Sequence, residues 1–118
     1  MRSMDDFVIN KTQTTGYNLI ERAGHAAMSL IKRLYPDSKT LSVVAGGGNN
    51  GGDGYFLARL ALQAGFDVRV YPVVPPSHLQ GDALTAYEDF VEFGGEILSF
   101  IPHDFESTEI LVDALFGT

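Results

Sequence analysis

Residues 46–54 form the segment that most constrains the fold, because six of the nine are glycine and the segment separates two regularly patterned stretches. Residues 41–45 before it are a short apolar, β-branched run, which predicts a buried strand. Residues 55–64 after it carry apolar side chains at helical spacing, and Gly65 is typical of a helix C-terminus. A strand, a glycine loop and a helix in this order predict the α/β class.

The same periodicities predict six further elements along the chain. Pro36, Pro72 and the pair Gly94 and Gly95 mark where elements end. We expect a short helix over about 1–11, a helix over 16–34, a second strand over 68–73, a helix over 82–93, a third strand over 96–100 and a fourth over 109–115. Strands that alternate with helices predict a Rossmann-like three-layer sandwich with a parallel sheet, here incomplete at about four strands.

The expected strand order brings the two most distinctive segments together. In a nucleotide-binding order of 3-2-1-4, the first and fourth strands are neighbours, and the order reverses between them. Ligands of such sheets bind beyond the carboxyl ends of the strands at this reversal. The glycine loop follows the first strand, and the fourth strand delivers Asp113, so we expect one crevice to contain both.

The glycine loop has the properties of an anion site. Five of its first seven residues lack a side chain, so a ligand can approach the backbone closely. The following helix presents free N–H groups and the positive end of its dipole, which suits a nucleotide-type phosphate. The alternative is a glycine-rich turn in which Asp53 caps the helix.

The glycine loop does not match either of two common phosphate-binding loops well. Gly46-x-Gly48-x-x-Gly51 fits the dinucleotide fingerprint literally, but an ordinary Rossmann site also needs an acidic residue at the end of the second strand. Val73, Val74 and Pro75 occupy that place. A Walker A loop is excluded because its Lys and Ser/Thr are missing.

Oxygen ligands accompany the loop. Asn50 offers an amide oxygen and Asp113 a carboxylate, and both are hard ligands that suit a simple cation such as K⁺. The alternative for Asp113 is a strand-end cap or an ion pair.

The net charge and the composition limit the kinds of molecule that the chain is expected to bind. The formal net charge is −7, and nine acidic residues but no basic one lie between Asp82 and Asp113. Such a surface repels polyanions and argues against nucleic-acid binding. The chain has no cysteine, no apolar run long enough to span a membrane and a polar N-terminus, so we expect a cytoplasmic protein without a membrane contact.

Five motifs together resemble one known family, the NAD(P)HX epimerases (YjeF N-terminal domain). The sequence Gly-Asn-Asn-Gly-Gly-Asp-Gly at 48–54 looks like the hallmark loop of that family. The other four motifs occur in the family's order: Met-Arg-Ser-Met-Asp at 1–5, Glu-Arg-Ala-Gly at 21–24, Gly-Asp-Ala at 81–83 and Val-Asp-Ala-Leu-Phe-Gly-Thr at 112–118. The resemblance covers the whole chain, so residues 1–118 are expected to be the N-terminal part of such a domain.

The resemblance implies an isomerase of nicotinamide cofactor repair. Its members interconvert the R and S forms of hydrated NADH and NADPH, and a fused or separate dehydratase then repairs the S form. We also expect a homo-oligomer. The residues that the resemblance assigns to substrate binding are Asn49, Asn50, Gly51, Gly52, Asp53, Gly117 and Thr118, and it assigns Asn50 and Asp113 to K⁺.

One departure from the family concerns length. The family domain is about twice as long, and its later Asp-x-Pro-Ser-Gly segment is absent here. We therefore expect a fragment that is inactive alone, with the main acid/base beyond Thr118. Two other functions stay open: a binding or dimerisation scaffold of the same fold, as in the mRNA-decapping and apolipoprotein A-I-binding members, and a non-catalytic nucleotide sensor.

Overall fold

The computed structural model describes residues 5–8, 16–99 and 109–114, except the side chains of residues 5–8, 16 and 48–51. These residues form five strands, three α-helices and one short 3-10 turn. In chain order they are β1 (Asp5–Val8), α1 (Gly16–Leu34), β2 (Thr40–Ala45), α2 (Gly48–Gln63), β3 (Asp67–Pro72), the turn Pro76–His78, α3 (Gly81–Glu92), β4 (Glu96–Ile97) and β5 (Ile110–Ala114).

All strand pairs are parallel, and the sheet order is β1-β5-β2-β3-β4. This confirms the α/β class and the predicted order, since the four predicted strands are β2, β3, β4 and β5. From β2 the chain moves through β3 to β4 and then crosses to β5 on the other side of β2. The order therefore reverses between β2 and β5, as expected for a ligand crevice at their carboxyl ends.

One face of the sheet packs against α2, and α1 and α3 pack against α2. Leu41, Val43 and Ala45 of β2 belong to the same apolar core as residues of α1, α2 and α3. Ser42 and Val44 alternate with them and, although buried, lie on the opposite face. The described part of the chain thus forms a helix layer and a sheet layer.

The N-terminal prediction was wrong. Residues 5–8 form a strand instead of part of a helix over 1–11, and the rest of that range lies outside the described residues. β1 pairs with β5 in the register Asp5 to Ile110 and Val8 to Asp113. An edge available for pairing outweighs a helical pattern over so short a window. β1 therefore covers the edge of β5.

The glycine-rich segment was also predicted incorrectly in part, since α2 begins at Gly48 and not at Tyr55. Glycine costs about 1 kcal/mol relative to alanine within a helix, so packing has to offset its poor propensity. The predicted helix ends are correct. Gly65 and Gly94 have φ angles of +96° and +103°, a conformation that glycine adopts without strain.

Candidate functional site

The N-terminus of α2 lies at the reversal of strand order. Gly46, which follows β2, donates its backbone N–H to the carbonyl of Ala114 at the end of β5, at 3.0 Å. Gly47 is the N-cap, in an extended conformation (φ −93°, ψ −176°), and no side-chain hydrogen bond caps the helix. The first turn contains no acidic residue. Its N–H groups and the positive end of the helix dipole are therefore suited to an external anion.

Three of the predicted binding residues belong to this first turn. Asn49, Asn50 and Gly51 are helical, so their backbone N–H groups contribute to the same end of α2. The side chains of Asn49 and Asn50 lie outside the described residues, and so do Gly117 and Thr118. Their assigned roles stay predictions.

Two glycines of the motif have packing roles that the sequence reasoning did not assign. A Cβ on Gly52 would lie 3.1 Å from the Cα of Ala83 in α3 and 3.1 Å from Cδ1 of Ile20 in α1. A Cβ on Gly54 would lie 2.9 Å from Cβ of Ala114 in β5. The motif thus lets α2 pack closely between two helices and the sheet, and this fixes the position of its N-terminus.

Asp53 is fully buried. It is the sixth residue of α2, counted from Gly48, so it lies beyond the first turn and is not the helix cap considered as an alternative. Gly52 and Gly54 on either side of it are both in close contact with neighbouring elements. The contact with the substrate that is predicted for Asp53 stays a prediction.

Asp113 is half-buried near the carboxyl end of β5, in register with Val44 of β2. Ala114 packs toward Gly54 of α2. Because side chains alternate along a strand, Asp113 belongs to the opposite face of the sheet. The structure therefore brings Asp113 and the first turn of α2 to the same end of β2 and β5, with the Asp113 side chain on the other face of β5 from α2.

The region beside the N-cap is uncharged. A Cβ on Gly47 would make ordinary contact, at 3.4 Å, with the Val74 side chain in the segment after β3. Residues 70–81 contain no Asp, Glu, Lys or Arg. The segment after β3 that lies beside the N-cap of α2 therefore carries no carboxylate that could bind a ribose, in agreement with the sequence.

A second close approach holds α1 against α2. A Cβ on Gly24 would lie 2.3 Å from Cδ2 of Phe56, and the ring of Phe56 is also in edge contact with Tyr17 and His25. The sequence contained a signal for it, because an isolated glycine inside a strong helix indicates a close packing contact. Gly24 of the Glu-Arg-Ala-Gly motif is therefore a packing residue.

Among the described residues, no group of three or more His, Asp or Glu side chains is placed to hold a metal ion. No described helix is long and apolar enough to cross a membrane.

Comparison with known proteins supports a single family. The family described as YjeF-related protein N-terminus matches residues 16–118. The bifunctional NAD(P)H-hydrate repair enzyme Nnr of Escherichia coli is 41% identical over 104 residues, which are 88% of this chain and 20% of that protein. The NAD(P)H-hydrate epimerase of Rhodobacter capsulatus is 34% identical, over 99% of this chain and 58% of that protein.

A solved structure has the same fold. The crystal structure of the yeast protein ynu0 (YNL200c) matches with a TM-score of 0.73 and 28% identity, over 88% of this chain and 48% of the yeast chain. The chain thus spans between one fifth and about three fifths of the length of these relatives. Because the family match covers most of its residues, the chain belongs to the family of YjeF-related protein N-termini.

Proposed function

We propose that this chain is the substrate-binding part of an NAD(P)H-hydrate epimerase, which interconverts the R and S forms of hydrated NADH and NADPH. The names of the curated relatives supply the activity and the substrate class. The observation that carries the proposal is the uncapped first turn of α2, which lies at the reversal of strand order between β2 and β5. In parallel α/β sheets this is where phosphorylated ligands bind.

The first turn binds the substrate's phosphate groups in this proposal. Asn49, Asn50 and Gly51 would donate backbone N–H groups, and the helix dipole favours the negative charge. The net charge of the chain is −7, so its surface as a whole does not attract phosphate groups. The backbone amides of the first turn therefore have to supply the local attraction. Gly52 and Gly54 act indirectly, by holding α2 against its neighbours.

Potassium is proposed as the cofactor, with Asn50 and Asp113 as ligands. The Asp113 carboxylate is a hard oxygen donor that is half-buried at the same end of the sheet as the first turn of α2, with its side chain on the other face of β5. K⁺ needs several oxygens, so other parts of the protein would complete the site. When bound, the ion would neutralise charge beside the phosphates.

The chemistry requires that the configuration at the hydroxyl-bearing carbon of the reduced pyridine ring is lost and regained. This calls for proton transfer at oxygen or nitrogen by a positioned acid/base. Asp53 is fully buried, and a carboxylate bound to a cation, as proposed for Asp113, is a poor base. We assign neither as the acid/base. The repair of the S form falls to a dehydratase, a role that the bifunctional relatives support.

The proposal is tested by incubating pure R-NADPHX in potassium buffer with this chain and, separately, with the domain extended to the length of its relatives. Chromatography follows the S form against the uncatalysed rate. Rapid equilibration by the extended domain supports the proposal, and acceleration by neither protein, although both are folded, contradicts it. Asp113→Asn in the extended domain should weaken the K⁺ dependence of the rate, and an unchanged dependence would remove Asp113 from the ion site.

A further inference from the structure

Hydrogen bonds between Thr40 and Glu109 join the starts of β2 and β5. Thr40 is the first residue of β2, and Glu109 directly precedes β5. The backbone N–H of Glu109 donates to Oγ1 of Thr40 at 2.7 Å. In the other direction, Oε1 of Glu109 accepts the backbone N–H of Thr40 at 3.1 Å, its hydroxyl at 3.5 Å and the backbone N–H of Lys39. The Thr40–Glu109 pair is thus bonded in both directions across 69 positions of sequence.

The pair continues the register of the ladder between β2 and β5. Val44 faces Asp113 in this ladder, and counting back along both strands brings Thr40 opposite Glu109. The pair therefore bears on which residue of β5 arrives at the carboxyl end of β2, where the candidate site lies.

The alternation of side chains along β5 does not define this register by itself. Ile110, Val112 and Ala114 are fully buried in the core, whereas Leu111 and Asp113 are half-buried on the other face. A slip of one residue would turn the buried side chains to the wrong face, because the side-chain period of a strand is two. A slip of two residues keeps both faces as they are. A contact outside the alternating pattern has to resist that second slip.

Two contacts of this kind are present. Near the carboxyl ends of the strands, the small side chain of Ala114 fits against Gly54 of α2. At the amino ends, a two-residue slip would pull the Thr40–Glu109 pair roughly 6.6 Å apart, since each residue advances a strand by about 3.3 Å. Hydrogen bonds do not form over such a distance, so the pair keeps its bonds only in the observed register.

The chemistry of the two residues suits this role. The hydroxyl of a threonine accepts one hydrogen bond and donates another, and a carboxylate oxygen accepts more than one donor. Both residues are half-buried, so water competes less for these bonds than it would at the open surface. Hydrogen bonds to an ionised carboxylate are also stronger than those between neutral groups.

We infer that Glu109 is a positioning residue, which with Thr40 sets the register of β5 against β2 and so places Asp113 at the candidate site. Four steps along β5, about 13 Å, separate Glu109 from Asp113, so the pair acts on the site only through the strand. The effect on epimerisation rests on the proposed function. Control of the register is a property of the chain itself.

Hydrogen exchange of the chain tests the register control without an activity measurement. Thr40→Val exchanges the hydroxyl for a methyl group, and Thr40→Ser keeps the hydroxyl. In Thr40→Val the amides of β5 should exchange at least about tenfold faster relative to those of α2, and in Thr40→Ser this ratio should stay within about twofold of the unsubstituted chain.

Val68→Ala is the matched control for a loss of stability. Val68 is buried in β3 at the same end of the sheet, and the cavity left by the substitution destabilises the fold without touching β5. It should accelerate the amides of β5 and α2 alike. A ratio in Thr40→Val that equals the ratio in this control would overturn the inference.

Epimerisation by the extended domain tests the consequence for the site. Glu109→Ala removes the acceptor and should lower kcat/KM for R-NADPHX by at least about tenfold, whereas Glu109→Gln keeps an acceptor oxygen and should recover part of the loss. Val68→Ala, measured while it is folded, should lose less than about twofold. If Glu109→Ala kept the kcat/KM of this control although its β5 exchanged fast, the site would not depend on the register, which also overturns the inference.

The failure of this inference can be distinguished from that of the proposed function. If the extended domain did not epimerise R-NADPHX while the β5 amides responded as expected, the enzymatic proposal would fall and the register control would stand. If the domain epimerised R-NADPHX while Thr40→Val behaved as the control does, the proposed function would stand and the register control would fall.

Discussion

The Cβ of Ala114 lies 2.9 Å from the point at which Gly54 would carry its own Cβ, so the second turn of α2 rests directly on the last residue of β5. The residues immediately before this pair are Asp53 and Asp113. The contact therefore ties together the two segments from which the site is built. It explains why a helix that starts with poor helix formers is nevertheless held in place at the reversal of strand order.

Gly54→Ala should lower the free energy of unfolding by about 1–2 kcal/mol. Overpacking a core typically costs about 1–3 kcal/mol, and the better helix propensity of alanine returns up to about 1 kcal/mol. Chemical denaturation of the single variants and of the double variant Gly54→Ala with Ala114→Gly measures the coupling. The double variant should lose less than the sum of the single losses. Strict additivity would mean that the two residues do not contact each other.

Gly24→Ala should destabilise the protein by at least about 1 kcal/mol, because its new methyl group would lie 2.3 Å from the ring of Phe56. The matched control is Ser29→Ala, at an exposed position of the same helix, which should change stability by less than about 0.5 kcal/mol. Thermal denaturation compares them. If Gly24→Ala were as neutral as the control, α1 would not be held against α2 by this contact.

Tyr17 should lose its proton only at high pH, and its ionisation should lower the free energy of unfolding there. Burial, and then the charge and hydrogen bond of Asp89 at 3.3 Å, raise the pKa of Tyr17 from 10.0 to about 12. A pKa that is raised on folding stabilises the folded state below the unfolded value, so this contribution is lost as the pH rises from about 10 to about 12.

Asp89→Asn should lower the Tyr17 pKa only part of the way to its ordinary value, since burial, the larger cause, remains. Phenolate absorbance follows the ionisation of all five tyrosines. Subtracting the titration curve of Tyr17→Phe leaves the contribution of Tyr17 and gives its pKa. An Asp89→Asn variant with an unchanged Tyr17 pKa would show that the carboxylate does not act on the phenol.

Tyr55→Phe should leave the protein as stable as before or more stable by up to about 1 kcal/mol. The hydroxyl of Tyr55 is buried and has no hydrogen-bond partner among the described residues, while the ring packs against Tyr87 and Phe90. Removing an unsatisfied polar group costs nothing when the ring stays. Tyr87→Phe is the control for the loss of a half-buried hydroxyl. A loss above about 1 kcal/mol for Tyr55→Phe would indicate a partner outside the described residues.

Local patterns predicted the elements that have strong local signals. The helix Gly16–Leu34 and the strand ending at Ala45 follow from apolar periodicity, and Gly65 marked a helix end that its positive φ confirms. The start of α2 at Gly48 and the strand Asp5–Val8 did not follow, because each depends on a partner that is distant in sequence. Helix propensity and short windows contain no information on such contacts.

The site was predictable in its location and less so in the roles of its residues. The strand order placed the glycine segment and Asp113 at one end of the sheet, and the structure does the same. The sequence gives no indication, however, that Gly54 faces Ala114 or that Asp53 is fully buried. A glycine needed for a close ligand and a glycine needed for close packing look the same in a sequence.

Variants of the N-cap, compared for stability and for epimerisation, test directly whether the first turn of α2 binds the substrate. Gly47 has a backbone conformation that any residue can adopt, and a Cβ there makes only ordinary contact with Val74. Gly47→Asp caps the helix and adds a negative charge where the phosphate is proposed to bind, and Gly47→Ser caps it without charge.

We predict that Gly47→Asp in the extended domain keeps or raises the melting temperature while kcat/KM for R-NADPHX falls by at least about tenfold, because the carboxylate repels the phosphate and occupies its amides. Gly47→Ser should lose clearly less activity. If Gly47→Asp were as stable as expected and epimerised at the rate of the unsubstituted protein, the first turn of α2 would not bind the substrate.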